Sequence, residues 1–423
     1  MATYRPRIVD AELDELLSGL AAVALEGPKG VGKTATASRR AAAVMALDDA
    51  AQRELLAADP TRVDRALGPV LIDEWQRVPS VWDMVRRSVD HDPRPGRFLL
   101  TGSAAPVDAP VHSGAGRIVQ VRIRPMSLTE RDLDSPTVSL RELLSGRRPA
   151  IEGKAAMNLA AYADEIVSSG FPGIRLLPPR ARRAQLDGYV VRVVEREFAD
   201  QGRPVRRPAT LRGWLTAYAA ATATTAAYNA ILHAATTGDA DKPAKTTTIA
   251  YRDVLTHLWL IDPVPGWLPT PNPFTRLAQA PKHHLADPAL AARLLGVDAD
   301  ALLAGATAAR SPTRGLLLGQ LFESLVTLSV RVFSQAAEAT VHHLRTRNGD
   351  HEIDLIVQRP DQRVVAFEVK LAPSVEDSDV THLRWLRREL GDDLLDAAVI
   401  TTGPDAYRRS DGIAVLPASL LGP

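Results

Sequence analysis

The chain has 423 residues, enough for two or three domains, and its 45% hydrophobic and 24% charged residues exclude global disorder. It has no cysteine, which excludes a disulfide framework or a thiolate metal site and fits a reducing compartment. Its net charge of +1 favours no class of partner by itself. The opening stretch MATYRPRIVDAELDELL has no apolar run of signal-peptide length, and no window reads as the roughly 20 apolar residues of a membrane span. The expectation is a cytoplasmic protein with no membrane partner.

The first element in chain order is a buried strand around Val23 to Leu25. The loop GPKGVGKT follows from Gly27 to Thr34, then an Ala-rich helical pattern. This matches GxxxxGK[ST] in the strand–loop–helix setting that the motif requires. Gly27, Gly30 and Gly32 let backbone N–H groups curl around phosphates, and the helix N-terminus adds its positive end. Lys33 can reach the β- and γ-phosphates, and the Thr34 hydroxyl can ligate Mg²⁺. The next strand, Val70 to Ile72, ends on Asp73 and Glu74. Asp73 is placed to hold Mg²⁺ directly or through water, and Glu74 to polarise the attacking water. No guanine-reading NKxD pattern is present, so the nucleotide is expected to be ATP.

A third strand, FLLT, ends at Thr101, with Ser103 just beyond, and Arg117 follows in HSGAGR. Arg117 is the candidate for an arginine that stabilises charge on the transferred phosphoryl group, in cis or from a neighbouring subunit of a homo-oligomer. The stretches LEGPKGVGKTATA, LIDEWQRVPSVWDMVRR, FLLTGSAAP and RIRPMSLTE together resemble P-loop ATPases of the AAA class that carry a C-terminal domain of unknown function, and SSGFPGI carries the resemblance into the second half. The resemblance implies that Thr101 or Ser103 senses the γ-phosphate. Plain turn capping is the alternative for both.

Gly, Arg and Pro between Gly146 and Lys154 mark a boundary. From Arg175 to Arg212 there are ten arginines and four acids. That excess suits either a nucleic-acid footprint or a solvated helix face. Several short helices are expected from Pro208 to Trp267, the last holding Val254, Leu255 and Leu258 and closed by Pro263. Helix, helix and a short extended piece resemble the winged-helix module of the related family, which can read DNA.

The C-terminal part begins with a possible strand at KHHL and a helix opened by Asp287 and Pro288. A strongly apolar helix with Glu323 inside it comes next. Two strands then carry Asp354 and, fourteen positions on, Glu368 with Lys370, a spacing that suits one hairpin. Alternation puts Glu368 and Lys370 on one face, beside Asp354. Carboxylates so placed can hold Mg²⁺ for phosphodiester cleavage, with Lys370 orienting water or stabilising charge and Glu323 as a further ligand. The order Glu323, Asp354, Glu368, Lys370 resembles the PD-(D/E)xK nuclease superfamily. The paired histidines His283, His284 and His342, His343 alternate across a strand and read as surface or core.

The resulting expectation is an α/β chain with ATP and Mg²⁺ as cofactors. It comprises a P-loop ATPase domain (1–145), a helical linker (146–207), a winged-helix-like module (208–280) and a restriction-endonuclease-like domain (281–423). Either the last domain cuts DNA under nucleotide control, or it binds DNA or a protein partner without cutting.

Overall fold

The computed structural model describes residues 4–102, 114–235, 243–269, 279–307, 312–346 and 349–423. They divide into two compact units, one of residues 1–124, 191–206 and 253–260, the other of 125–190, 207–252 and 261–423. The division is not by consecutive blocks, because two later segments return to the first unit.

The first unit is a five-stranded parallel sheet in the order β2-β3-β4-β1-β5. Its strands are β1 (Ala22–Glu26), β2 (Ala43–Ala46), β3 (Val70–Asp73), β4 (Phe98–Thr101) and β5 (Val119–Arg122). β1, β3 and β4 are buried almost throughout, as parallel strands covered on both faces must be. Helix α1 (Lys33–Ser38) follows the phosphate loop, and α2 (Ser80–His91) packs Val81, Trp82, Val85 and Val89 into the core beneath β3 and β4. The helix expected after the loop is therefore only six residues long. The alanine-rich run beyond it is β2, because Ala42 and Ala43 donate to the Pro69 carbonyl and the run pairs in register with β3. Backbone pairing has overridden alanine's helical preference.

In the second unit the main sheet has eight strands in the order β7-β13-β14-β12-β11-β10-β9-β8. They are β7 (Gly153–Lys154), β8 (Gly266–Trp267), β9 (Thr340–Arg345), β10 (Glu352–Gln358), β11 (Val364–Val369), β12 (Leu394–Thr401), β13 (Asp405–Arg408) and β14 (Ala414–Pro417). A two-stranded sheet joins β6 (Val138–Ser139) to β15 (Leu421–Gly422). Both β6 and β7 thus pair with strands from the far end of the sequence. Helices α3 (Pro179–Arg192), α4 (Pro208–Ala220), α5 (Tyr228–Ala234) and α6 (Lys245–His257) fill the middle of the chain. Trp259, in the left-handed region, closes α6 well before Pro263, with Leu260 N–H donating to Leu255. Among the described residues no wing hairpin follows. The extended piece pairs singly with the 282–285 segment, and β8 joins the edge of the main sheet.

Helix α7 (Pro288–Leu294) starts on Asp287, whose carboxylate accepts from Ala289 N–H. Helix α8 (Pro312–Ala336) packs against β9 and β10, and α9 (Thr381–Leu390) buries Leu383 and Leu386 against Ile353, Val364 and Ala366. Within α8, Gly315–Ala336 is long and apolar enough to cross a membrane by length and composition, contrary to the expectation from sequence. In this fold it is a core helix: 61% of its most apolar window is buried, with Leu321, Phe322, Leu325 and Phe333 fully enclosed.

Candidate functional site

The phosphate loop spans the turn from β1 to α1. Gly27, Gly30 and Gly32 all have positive φ. A Cβ on Gly27 would collide with the Ile123 carbonyl oxygen, so only glycine lets the loop leave β1 this closely beside β5. Lys33 is buried, and its ammonium donates to the carbonyls of Gly27 at 2.8 Å and Pro28 at 3.1 Å. Burial pushes Lys33 down to about 8, against the pull of Glu74 and Asp73. The lysine thus rests on two carbonyls of its own loop.

β3 carries Asp73 to the same place. One oxygen of Asp73 accepts from the Thr34 hydroxyl at 2.8 Å and from the Thr101 hydroxyl at 2.5 Å. The ends of β3 and β4 and the start of α1 so converge on one carboxylate. Hard oxygens of this kind suit Mg²⁺ held together with a triphosphate. Glu74 follows in the left-handed region (φ 53°), and its carboxylate accepts from Gln76 Nε2. Arg117 donates to Asp90 at 2.7 Å and is half exposed, so it is engaged within its own chain. Ser103 lies outside the described residues. Two supports escaped the sequence reading. Arg7 donates to the Val31 carbonyl within the loop and to the Arg124 carbonyl just past β5. Lys29, in the loop, pairs at 3.0 Å with Glu197, which sits on a π-helical turn, Val193–Glu197.

The second cluster lies where α8, β10 and β11 meet. β10 and β11 form an antiparallel hairpin with Leu355 opposite Phe367. The β9–β10 register slips between Ile353 and Ile356, the stretch that holds Asp354. Asp354 accepts from Val369 N–H at 2.9 Å, and Lys370 pairs with Glu368 at 3.0 Å. Glu323 comes in from α8. A cation of the chain itself stands among these carboxylates. Lys282, which is 1% exposed, donates to Glu323 at 2.8 Å and to Asp354 at 2.9 Å, with Glu352 at 3.6 Å. Among the described residues no group of three or more His, Cys, Asp or Glu could hold a metal ion. Two of the three residues expected to hold a metal, Glu323 and Asp354, thus share the buried Lys282 ammonium, and the third, Glu368, pairs with Lys370. No local pattern in KHHL signals the buried ammonium.

The charges follow. Burial, then the Asp354 charge, raises Glu323 to about 8 despite Lys282. Burial would raise Asp354 too, but the Lys282 charge and the Val369 N–H outweigh it and hold the carboxyl below its usual range. Burial and Asp354 push Glu368 well up, and its Oε1 is buried without a hydrogen-bond partner. His283, His284 and His343 are buried, and burial lowers each of them; His343 falls to about 4 and its ring contacts the Ala280 carbonyl.

Comparison with known proteins agrees with the P-loop geometry. Residues 21–131 match the family described as "AAA domain". Residues 159–301 and 318–421 match two families described as domains of unknown function, DUF8612 and DUF4143. Uncharacterized protein Rv2008c of Mycobacterium tuberculosis is 28% identical over 421 residues, covering 96% of this chain and 82% of its own length. Uncharacterized protein Mb2031c of Mycobacterium bovis matches to the same extent. The N-terminal part of the chain is accordingly an AAA-like P-loop domain, and ATP binding is the activity that this likeness carries.

Proposed function

We propose that the chain is an ATP-hydrolysing switch whose C-terminal domain has a nuclease-like fold and binds DNA without cutting it. The observation that carries the first part is the shared Asp73 oxygen, which joins Thr34 and Thr101 beside the buried Lys33. Mg²⁺ bound there with ATP would neutralise phosphate charge. Lys33 would then leave its loop carbonyls for the β- and γ-phosphates, Thr101 would sense the γ-phosphate, and Glu74 would orient and polarise the attacking water. Arg117, paired with Asp90, has no part in this reading.

For the C-terminal domain the support is the order α8, β9, β10, β11, α9, β12, in which the first three strands are antiparallel and β12 runs parallel to β11. That arrangement, with Asp354 on the second strand and Glu368 and Lys370 at the end of the third, is what the PD-(D/E)xK resemblance requires. Lys282 weighs against cleavage, because it holds the carboxylates that a metal would need. The buried Glu368 Oε1, which has no partner, favours cleavage. In the second unit, the exposed Arg180, Arg183, Arg207 and Arg212 provide charge for phosphate contacts.

The test incubates plasmid and single-stranded DNA with the protein, with and without Mg²⁺ or Mn²⁺ and ATP, using wild type, Lys33→Ala and Asp354→Ala. Mobility shifts without cutting, changed by ATP only when Lys33 is present, are expected. Cutting that disappears in Asp354→Ala would restore the nuclease. An absence of DNA binding with ATP hydrolysis intact would turn the search to a protein partner.

A further inference from the structure

The geometry points to Lys282 as the resident cation of the acidic cluster, standing where a divalent ion would otherwise be needed, so that the C-terminal domain keeps this cluster folded and charge-compensated without metal. The inference rests on the nuclease-like reading of that domain and deepens it.

Three features carry it. First, the ammonium is enclosed. Lys282 is 1% exposed and reaches Glu323 at 2.8 Å, Asp354 at 2.9 Å and Glu352 at 3.6 Å. Acids from α8 and from two positions of β10 therefore converge on one positive group. An ion bound by the same Glu323 and Asp354 oxygens would have to sit against that ammonium. Second, Asp354 is engaged at both oxygens. Oδ1 accepts from Lys282 and Oδ2 from Val369 N–H at 2.9 Å. Third, the lysine does not arrive on a loose arm. Its own N–H and C=O both bond to Val264 at 2.9 Å. The flanking His283 donates its N–H to Thr224 and accepts from Ala223 N–H, and the Ala280 carbonyl meets the His343 ring at 2.9 Å. The side chain is delivered by backbone pinned on both sides.

Lys370 adds a second ammonium, held by Glu368. Two lysines thus face Glu323, Asp354 and Glu368, with Glu352 shared between Lys282 and Arg345. A Mg²⁺ or Ca²⁺ centre collects carboxylate charge in excess of nearby cations. Here three cationic side chains, Lys282, Lys370 and Arg345, stand against four acids and leave an excess of one. The fully buried acceptor left without a partner in this cluster, Glu368 Oε1, is a single oxygen.

The test is metal binding rather than activity. The full chain carrying Thr34→Ala and Asp73→Asn, which removes the oxygen ligands of the phosphate loop, is titrated calorimetrically with Mn²⁺. No binding tighter than about 1 mM is expected. Any binding that appears should survive Asp354→Asn, placing it elsewhere. A Mn²⁺ site that is present in this background and abolished by Asp354→Asn overturns the proposal. In the same background Lys282→Ala should lower the melting temperature, and Mn²⁺ should restore it, an effect lost when Asp354→Asn is added. If Lys282→Ala folds and gains neither a Mn²⁺ site nor rescue, the ammonium is not standing in for an ion and the proposal fails. If it does not fold, the Lys282-containing background with and without Asp354→Asn still decides. DNA binding is scored separately, so failure of the switch reading is not confused with failure of this one.

Discussion

Lys33 and Glu74 show what single residues cost and contribute at the nucleotide site. Burial lowers Lys33 from 10.5 to about 8, so between those pH values the unfolded chain binds the extra proton and folding gains stability as pH rises. ATP binding has the opposite sign. Phosphates favour the ammonium, so binding takes up a proton above pH 8. The dissociation constant for ATP should be flat from pH 7 to 8 and then rise by about tenfold per unit. Calorimetry across pH 7 to 9.5 checks this, and Lys33→Arg, which stays charged, should remove the bend. Glu74 is different because its strain is in the backbone. A non-glycine residue in the left-handed region costs about 1–2 kcal/mol, and glycine's extra chain entropy costs about 0.5–1 kcal/mol. Glu74→Gly is therefore expected to raise stability by roughly 0.5 kcal/mol in denaturant melts. Glu74→Gln should keep ATP binding and slow hydrolysis by about 10²–10⁴-fold in a phosphate-release assay.

At the scale of elements, the cap of α7 matters beyond its own helix. Asp287 is fully buried, and besides Ala289 it accepts from the Ser169 hydroxyl at 2.6 Å and Gly170 N–H at 2.8 Å. Asp287→Ala would leave those donors buried and unmet, at about 1–3 kcal/mol each. A loss of roughly 3 kcal/mol or more is expected in urea unfolding, against about 1 kcal/mol for an ordinary exposed cap. Elements also explain what could be read in advance. The phosphate loop was legible because its spacing is local, and so was Asp354 beside Glu368, because a hairpin converts spacing into adjacency. Asp287 and Pro288 announced α7 for the same reason. β2 was illegible because alanine favours helix and only pairing with β3 makes a strand of it. Lys282 was illegible for another reason. Its partners lie 41 and 72 positions away, and no periodicity records a contact that distant.

For the whole molecule, the first unit is discontinuous in sequence. Residues 191–206 and 253–260 belong to it, and Glu197 from the first of these holds Lys29 in the phosphate loop. A fragment ending at Arg124 should therefore unfold broadly rather than cooperatively when followed by circular dichroism, and bind ATP more weakly than the full chain. A sharp transition with undiminished affinity would show that the later segments are dispensable. The same threading sets an order in time. As the chain leaves the ribosome, the phosphate-binding sheet is complete by residue 124, yet its last own segment is made only at 253–260. At roughly 5–20 residues per second that wait is on the order of ten seconds. Through it the β5 edge and the phosphate loop stand without their later neighbours, so this unit is the one that a chaperone would meet first and hold longest.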